Sequence, residues 1–256
     1  MSALVRPSPA APAWRCTLAQ AAMEVRLTSR RGENLLVTLV IPVVMLVFFA
    51  SVDVLSVGVG HPIDFLLPGV LALAVISTSL VNLGIATAYE RYYGVLKRLG
   101  GSPLPRSGLI AAKMLAVLAV EALQVTLLVT IAAAGFGWTL GPGANVGIAV
   151  AALVLGTLAF AGMGLAMAGA LRAETTLALA NGLFLVFLLL GGIVLPIDHL
   201  PGALEALARV LPASALSDAL RIGLGSGAGD ALEPLALLAI WGVGAAVVAG
   251  RTFRWE

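Results

Sequence analysis

The chain is laid out as long apolar blocks separated by short polar ones. Six apolar runs stand out, at about 35–55, 66–88, 109–134, 146–171, 177–195 and 235–250. A helix needs about 20 apolar residues to cross ~30 Å of hydrocarbon. The pattern therefore predicts an all-α membrane protein with six transmembrane helices occupying residues 35–250, the first interrupted by Pro42. Residues 1–13, rich in Ala, Pro and Ser, read as a disordered tail. Residues 14–34 read as an amphipathic helix lying at the membrane interface, and 251–256 as a short C-terminal tail. The N-terminal region has no uninterrupted apolar core followed by a small-residue cleavage site, so it is expected to be retained.

Orientation follows from the loops. With the N-terminus inside, the fifteen Lys and Arg residues divide unevenly. Arg6, Arg15, Arg26, Arg30, Arg31, Arg91, Lys97, Arg98, Arg106, Lys113, Arg172, Arg251 and Arg254 fall on the cytoplasmic side, and only Arg209 and Arg221 fall outside. Positive charge stays inside, so both termini are expected in the cytoplasm and the chain in the cell membrane.

Composition agrees with a lipid environment. The chain has 256 residues, of which 60% are hydrophobic and 11% charged; soluble domains carry about 25% charge. A net charge of +2 gives no reason to expect a nucleic-acid partner. Cys16 is the only cysteine, and His61 and His199 are the only histidines, far apart, so no metal-ligand spacing is present. A Walker A loop requires Gly-Lys-Ser/Thr, yet Lys97 follows Leu96 and Lys113 follows Ala112. No nucleotide cofactor is expected on these residues. An intramembrane hydrolase would need a paired nucleophile and base or a metal, which this sequence does not offer.

One segment breaks the apolar rule. Tyr89–Arg106, between spans two and three, gathers Glu90, Arg91, Lys97, Arg98 and Arg106 with Pro103 and Pro105. Tyr92, Val95, Leu96 and Leu99 follow at i, i+3, i+4 and i+7, which predicts one short amphipathic helix over Glu90–Leu99. Gly100-Gly101 is expected to end it in a left-handed cap. Ser102-Pro103 is expected to start the next helix, as N-cap and first residue. Pattern alone leaves two roles open: a helix lying on anionic headgroups, or one docked in a groove on a soluble partner.

Span five is followed by a second broken stretch, Leu195–Arg221, cut by Pro196, Pro201 and Pro212. Leu204, Leu207 and Leu211 share one face of its first piece, and Leu216, Leu220 and Leu224 one face of the second. Both pieces are too short to span and fall at the external side. His199 beside Asp198 reads as a solvated surface residue. Within the spans, Glu121 lies near the midplane of span three, where an ionised carboxylate costs ~3 kcal/mol. Gln124, on the same face, is in reach to hydrogen-bond it. Glu121 thus faces a wet cavity, is protonated, meets a cationic cargo, or is a hydrogen-bonded packing residue. Asn82 and Asn181 read more readily as interhelical glue than as ligand sites. Gly162, Ala166 and Ala170, and Gly242, Ala246 and Gly250, form small-residue stripes suited to close packing, within the chain or between copies.

The layout resembles the permease subunits of ABC-2 type exporters, and most of all the daunorubicin-resistance-type drug exporters. Carrying the resemblance are Glu90, Arg91, Gly94, Leu96, Lys97, Leu99, Ser102 and Pro103, followed by Lys113, and the ending Pro196-Ile-Asp-His-Leu-Pro…Leu-Pro-Ala-Ser…Asp-Ala-Leu-Arg221. The resemblance implies that the first set is the cytoplasmic coupling helix, docking on a separate ATPase subunit that holds ATP and Mg. It implies that the Pro196–Arg221 helices dip into the outer leaflet as an external gate, with Pro196, Asp198, Pro212, Asp218 and Arg221 as its candidate residues. It also implies a second permease copy, identical or different. Asn82, Glu121 and Gln124, as polar groups inside the spans, are the candidates for the path. Walls of Leu, Val, Phe and Ala suit a hydrophobic or amphipathic cargo such as a drug or a lipid. The other readings are a membrane scaffold or assembly factor, or a permease for a polysaccharide or lipid-linked glycan.

Overall fold

The computed structural model describes residues 12–30, 32–51, 61–193 and 196–252, and every regular element in them is helical. The tail expected over 1–13 lies almost wholly outside the described residues, as do 52–55 of the first expected span and most of the C-terminal tail. Among the described residues, five helices are long and apolar enough to cross a membrane: Pro62–Tyr92, Arg106–Phe136, Val146–Ala170, Ala173–Leu190 and Leu232–Thr252. At the place of the first expected span, helix α2 (Gly32–Ser51) carries a shorter apolar stretch, Thr38–Ser51. Before it, α1 (Ala13–Arg30) packs along the start of α6 (Arg106–Phe136), with Ala21 buried and Trp14, Leu18 and Met23 exposed.

The second span is longer than its apolar run. It comprises α3 (Pro62–Ile76), a π-helical turn (Ser77–Asn82) and α4 (Leu83–Tyr92), so Glu90 and Arg91 belong to it and not to a separate helix. The expected Glu90–Leu99 helix is broken at Gly94, whose φ of 71° is the left-handed region that side chains avoid. The short α5 (Val95–Gly100) follows. It does end at Gly100, but Gly101 has φ −81°, so the stop is not a left-handed cap. Ser102 and Pro103 lie in the connecting turn, and α6 starts only at Arg106, after an extended Pro105. Ser102 instead closes α5, donating to the Leu99 carbonyl at 2.6 Å.

Small residues set the packing. In α7 (Val146–Ala170), Gly164 meets Gly84 of α4, and a Cβ on Gly162 would lie 2.8 Å from that of Ala245 in α11 (Leu232–Thr252). The small-residue stripes therefore pack α7 on α11 within one chain at Gly162 and Gly242. α8 (Ala173–Leu190) stops five residues short of the expected end of span five, and a 3₁₀ turn (Ile197–His199), α9 (Gly202–Arg209) and α10 (Pro212–Leu224) follow.

The two short helices differ sharply. α9 leaves Leu204 and Leu207 exposed, whereas α10 is inserted among α3, α7 and α11 with Leu216 and Leu220 fully buried. It fits because Gly156 makes room for Leu216 and Gly223 lies against Ala149. The loop before α7 is strapped to it by Gly141 N–H to Leu224 O (3.0 Å) and Asn145 N–H to Gly223 O (2.9 Å). An amphipathic helix floating at the interface does not describe α10; it is part of the core.

Candidate functional site

At the basic end of the bundle, α4, α5 and α6 make a tight elbow. Its inner side is apolar: Leu96 is buried and joins Leu83, Leu104, Leu109, Val117 and Leu165 in one cluster, with Leu99 packed on the edge. Its outer side is aromatic. Tyr92 and Tyr93 are 65% and 67% exposed, and Tyr93 stacks on Tyr89 at 6.1 Å. Val95, Lys97 and Arg98 are also exposed. The expected apolar face of Tyr92, Val95, Leu96 and Leu99 is thus split by the bend at Gly94, the last two residues turning in and the first two out.

Two charged residues of the expected coupling set face inward as well. Glu90 accepts from Lys113 Nζ at 2.7 Å, and Glu24 of α1 accepts from the same ammonium at 3.2 Å. Lys113 is 2% exposed. Arg91 donates to the carbonyls of Gly169 and Leu171, bracing α4 on the junction of α7 and α8. A buried cation with paired, hydrogen-bonded carboxylates is the arrangement that offsets the cost of taking charge out of water. Nothing local in the sequence marks Glu24; the lysine at the head of an apolar span is the signal for a hidden partner.

Below this trio lies a cavity of about 110 Å³, lined by Glu24, Glu90, Lys113, Thr38, Thr78 and Asn82 among others. A polar seam continues beneath it. Asn82 donates to Thr38 Oγ1 (2.6 Å), Gln124 donates to the Thr38 carbonyl (3.0 Å), and Thr78 donates to Gln124 Oε1 (2.9 Å). Glu121 is 4% exposed and accepts from Ser79 and Thr157, one hydroxyl for each carboxylate oxygen. Gln124 does not bond Glu121, because the wide π turn carries Thr78 and Ser79 across to α6 and each takes one partner. Of the three candidate path residues, Asn82 lines the cavity and the other two do not.

The candidate gate residues form two groups at the opposite end. Asp198, 83% exposed, faces Arg209 at 3.7 Å. Arg221 is buried: it donates to Asp218 (3.1 Å) and to the Gly192 carbonyl, and its Cζ sits 4.2 Å from the centre of the Phe65 ring. Burial pushes the Asp218 carboxyl up from its ordinary range against the pull of Arg221, and pushes Arg221 down. Pro212 is the buried first residue of α10; Pro196 precedes the 3₁₀ turn. Arg221 thus pins α10 to α3 and to the end of α8. Among the described residues no group of His, Cys, Asp or Glu has metal-binding geometry.

A family model described as "ABC-2 type transporter" matches residues 17–224. The chain belongs to this family. The match runs from within α1 through the last residue of α10, so the elbow, the seam and the buried α10 all lie inside the ABC-2 region. The chain is similar to "ABC transporter G family member 20" of Dictyostelium discoideum, 29% identical over 169 residues, which are 63% of this chain and 23% of that protein. It is also similar to "Putative transport permease YvfS" of Bacillus subtilis (strain 168), 23% identical over 201 residues, 75% of this chain and 79% of that one. The matched region thus spans less than a quarter of the first relative and most of the second.

Proposed function

We propose that the chain is the membrane permease of an ABC-2 type exporter and is driven by a separate ATPase subunit carrying ATP and Mg. α2 serves as the first of six spans, with α1 on the cytoplasmic side and both termini in the cytoplasm. Two copies enclose the path. The cargo is hydrophobic or amphipathic, a drug or a lipid-like molecule, and moves outward.

The observation that carries this reading is the elbow. α5 is anchored inward by Leu96, while Tyr92, Tyr93 and Val95 are presented outward beside Lys97 and Arg98. Aromatic residues with neighbouring cations are the composition of interface hot spots. A partner pressing on α5 acts on a rigid body, because Leu96 packs among Leu83, Leu109 and Val117, Glu90 is tied to Lys113 and Arg91 to α7. Force therefore reaches both sides of the cavity that Asn82 lines. At the far end α10 closes the bundle, held by Arg221, and release of that grip opens the exit.

The test has two arms. In a Cys16→Ser background, a cysteine at position 97 should react with a membrane-impermeant maleimide in inside-out vesicles and not in intact cells. Tagged full-length chain, purified in mild detergent, should bring down a Walker A-bearing polypeptide and Mg-dependent ATP hydrolysis. The double substitution Tyr93→Asp, Val95→Asp should cut that recovery about tenfold or more, as loss of a hot spot does, with the melting temperature held. Labelling only from the exterior, or recovery unchanged by the double substitution, refutes the assignment.

A further inference from the structure

A second cavity, of about 640 Å³, opens at the basic end among α4, α7, α8 and α11. Its floor is the last turn of α7, Gly169 and Ala170. Around it stand Arg91 from α4, Arg172 at the head of α8 and Arg251 at the end of α11. Three arginines from three separate elements thus meet over a floor without side-chain bulk. Arg91 is committed to two backbone carbonyls. Arg172 and Arg251 are both exposed, and no described carboxylate pairs with either, although Glu174 lines the same cavity. Tyr92 contributes an aromatic rim.

We infer that this cavity is a binding site for a phosphate-bearing anion, the headgroup of an anionic phospholipid in the leaflet at the basic end. The chemistry is that of guanidinium groups, whose planar forks match phosphate oxygens two at a time. Basic pockets between spanning helices, at the level of the headgroups, are where such lipids are held. The position selects the lipid over a free anion. Further along both helices the surfaces are apolar and uncovered: Val247 and Val248 lie four and three residues before Arg251, and Leu177 and Leu179 five and seven after Arg172, all between 40% and 49% exposed. An anion seated above, with acyl chains lying along these surfaces, satisfies both halves of the groove. The proposal does not depend on the ATPase reading, since it needs only a membrane-embedded chain.

The experiment uses the purified full-length chain in detergent, titrated with dioleoylphosphatidylglycerol, with dioleoylphosphatidylcholine and with inorganic phosphate. Native mass spectrometry and thermal shift read binding. The phosphatidylglycerol is expected to bind and to raise the melting temperature where phosphatidylcholine does not. Arg172→Gln and Arg251→Gln should each weaken it about fivefold, and the pair about twenty-fivefold. Arg106→Gln, an exposed arginine at the same end but outside the cavity, should change it less than twofold. Equal weakening by Arg106→Gln, or no weakening by the pair, overturns the site. Stabilisation of the parent by inorganic phosphate alone, lost in the pair, keeps the anion site and overturns the lipid as its source. Unchanged lipid binding with loss of a co-purifying ATPase in the pair would make the cavity a protein contact and overturn the inference.

Discussion

Lys113 is the residue on which the basic end turns. Its ammonium is enclosed by carboxylates from two other helices, α1 and α4, so it ties three elements at one point. Replacing it by Met removes the cation and leaves Glu24 and Glu90 facing one another, only 14% and 16% exposed. Breaking a buried ionic group by removing one partner costs about 3–5 kcal/mol. The expected result for Lys113→Met is a drop of that size in unfolding free energy. Adding Glu24→Gln and Glu90→Gln should restore part of it, because the repulsion goes with the charges. Equal instability of the single and triple variants in detergent melts would mean that the trio is not a coupled unit. The sequence showed the lysine but not its partners, since Glu24 and Glu90 lie 89 and 23 positions away. Glu121 repeats the lesson: its two hydroxyl donors, Ser79 and Thr157, are 42 and 36 positions distant and carry no local signal.

Among the elements, α5 depends on one backbone conformation. Gly94 has φ 71°, and a Cβ there would meet nothing within 4 Å. The cost of Gly94→Ala is therefore conformational and not steric, about 1–2 kcal/mol. Gly94→Asn should cost less, as asparagine tolerates this region better. The two variants should rank in that order in melting temperature, and in the ATP hydrolysis that co-purifies with the chain. A larger penalty for Asn than for Ala would place crowding, not strain, at the bend. From the sequence the Gly100-Gly101 doublet looks the stop, and a single glycine at 94 inside an amphipathic pattern does not. The actual bend comes earlier because α4 must turn before Leu96 can reach the apolar cluster. How deeply α10 is buried is not legible, for another reason. Leu216, Leu220 and Leu224 with Ser214, Ser217 and Arg221 form an amphipathic pattern that fits an interface equally well. Only Gly156 on α7, which receives Leu216, Gly223 of α10 against Ala149, and the Asp218, Gly192 and Phe65 partners of Arg221 decide for burial.

For the molecule as a whole, the all-helical class and five of the spans were legible from apolar run length, because lipid demands that length whatever the neighbours. The exposed apolar faces of α2, α8 and α11 are the lipid-facing surface that the low charge content foretold. Run length could not show that the second span holds one residue more than a regular helix needs, in the π turn at Ser77–Asn82. Such turns arise as single-residue expansions of an α-helix. Deleting Val81 should therefore regularise the helix and leave Gly84 against Gly164 and Glu90 against Lys113. Deleting Val117 from α6, an uninterrupted α-helix with no surplus residue, should rotate everything after it by about 100°. The first deletion is expected to yield folded protein with a lowered melting temperature, the second to fail on size-exclusion chromatography; folding of both, or of neither, would contradict this. The surplus residue behaves like a dislocation in a crystal row. Were it to glide by one position, the side chains it passes would swing about the axis while both ends of the rod stayed clamped. Thr78 and Ser79, which hold Gln124 and Glu121, sit where that swing would exchange them for their neighbours.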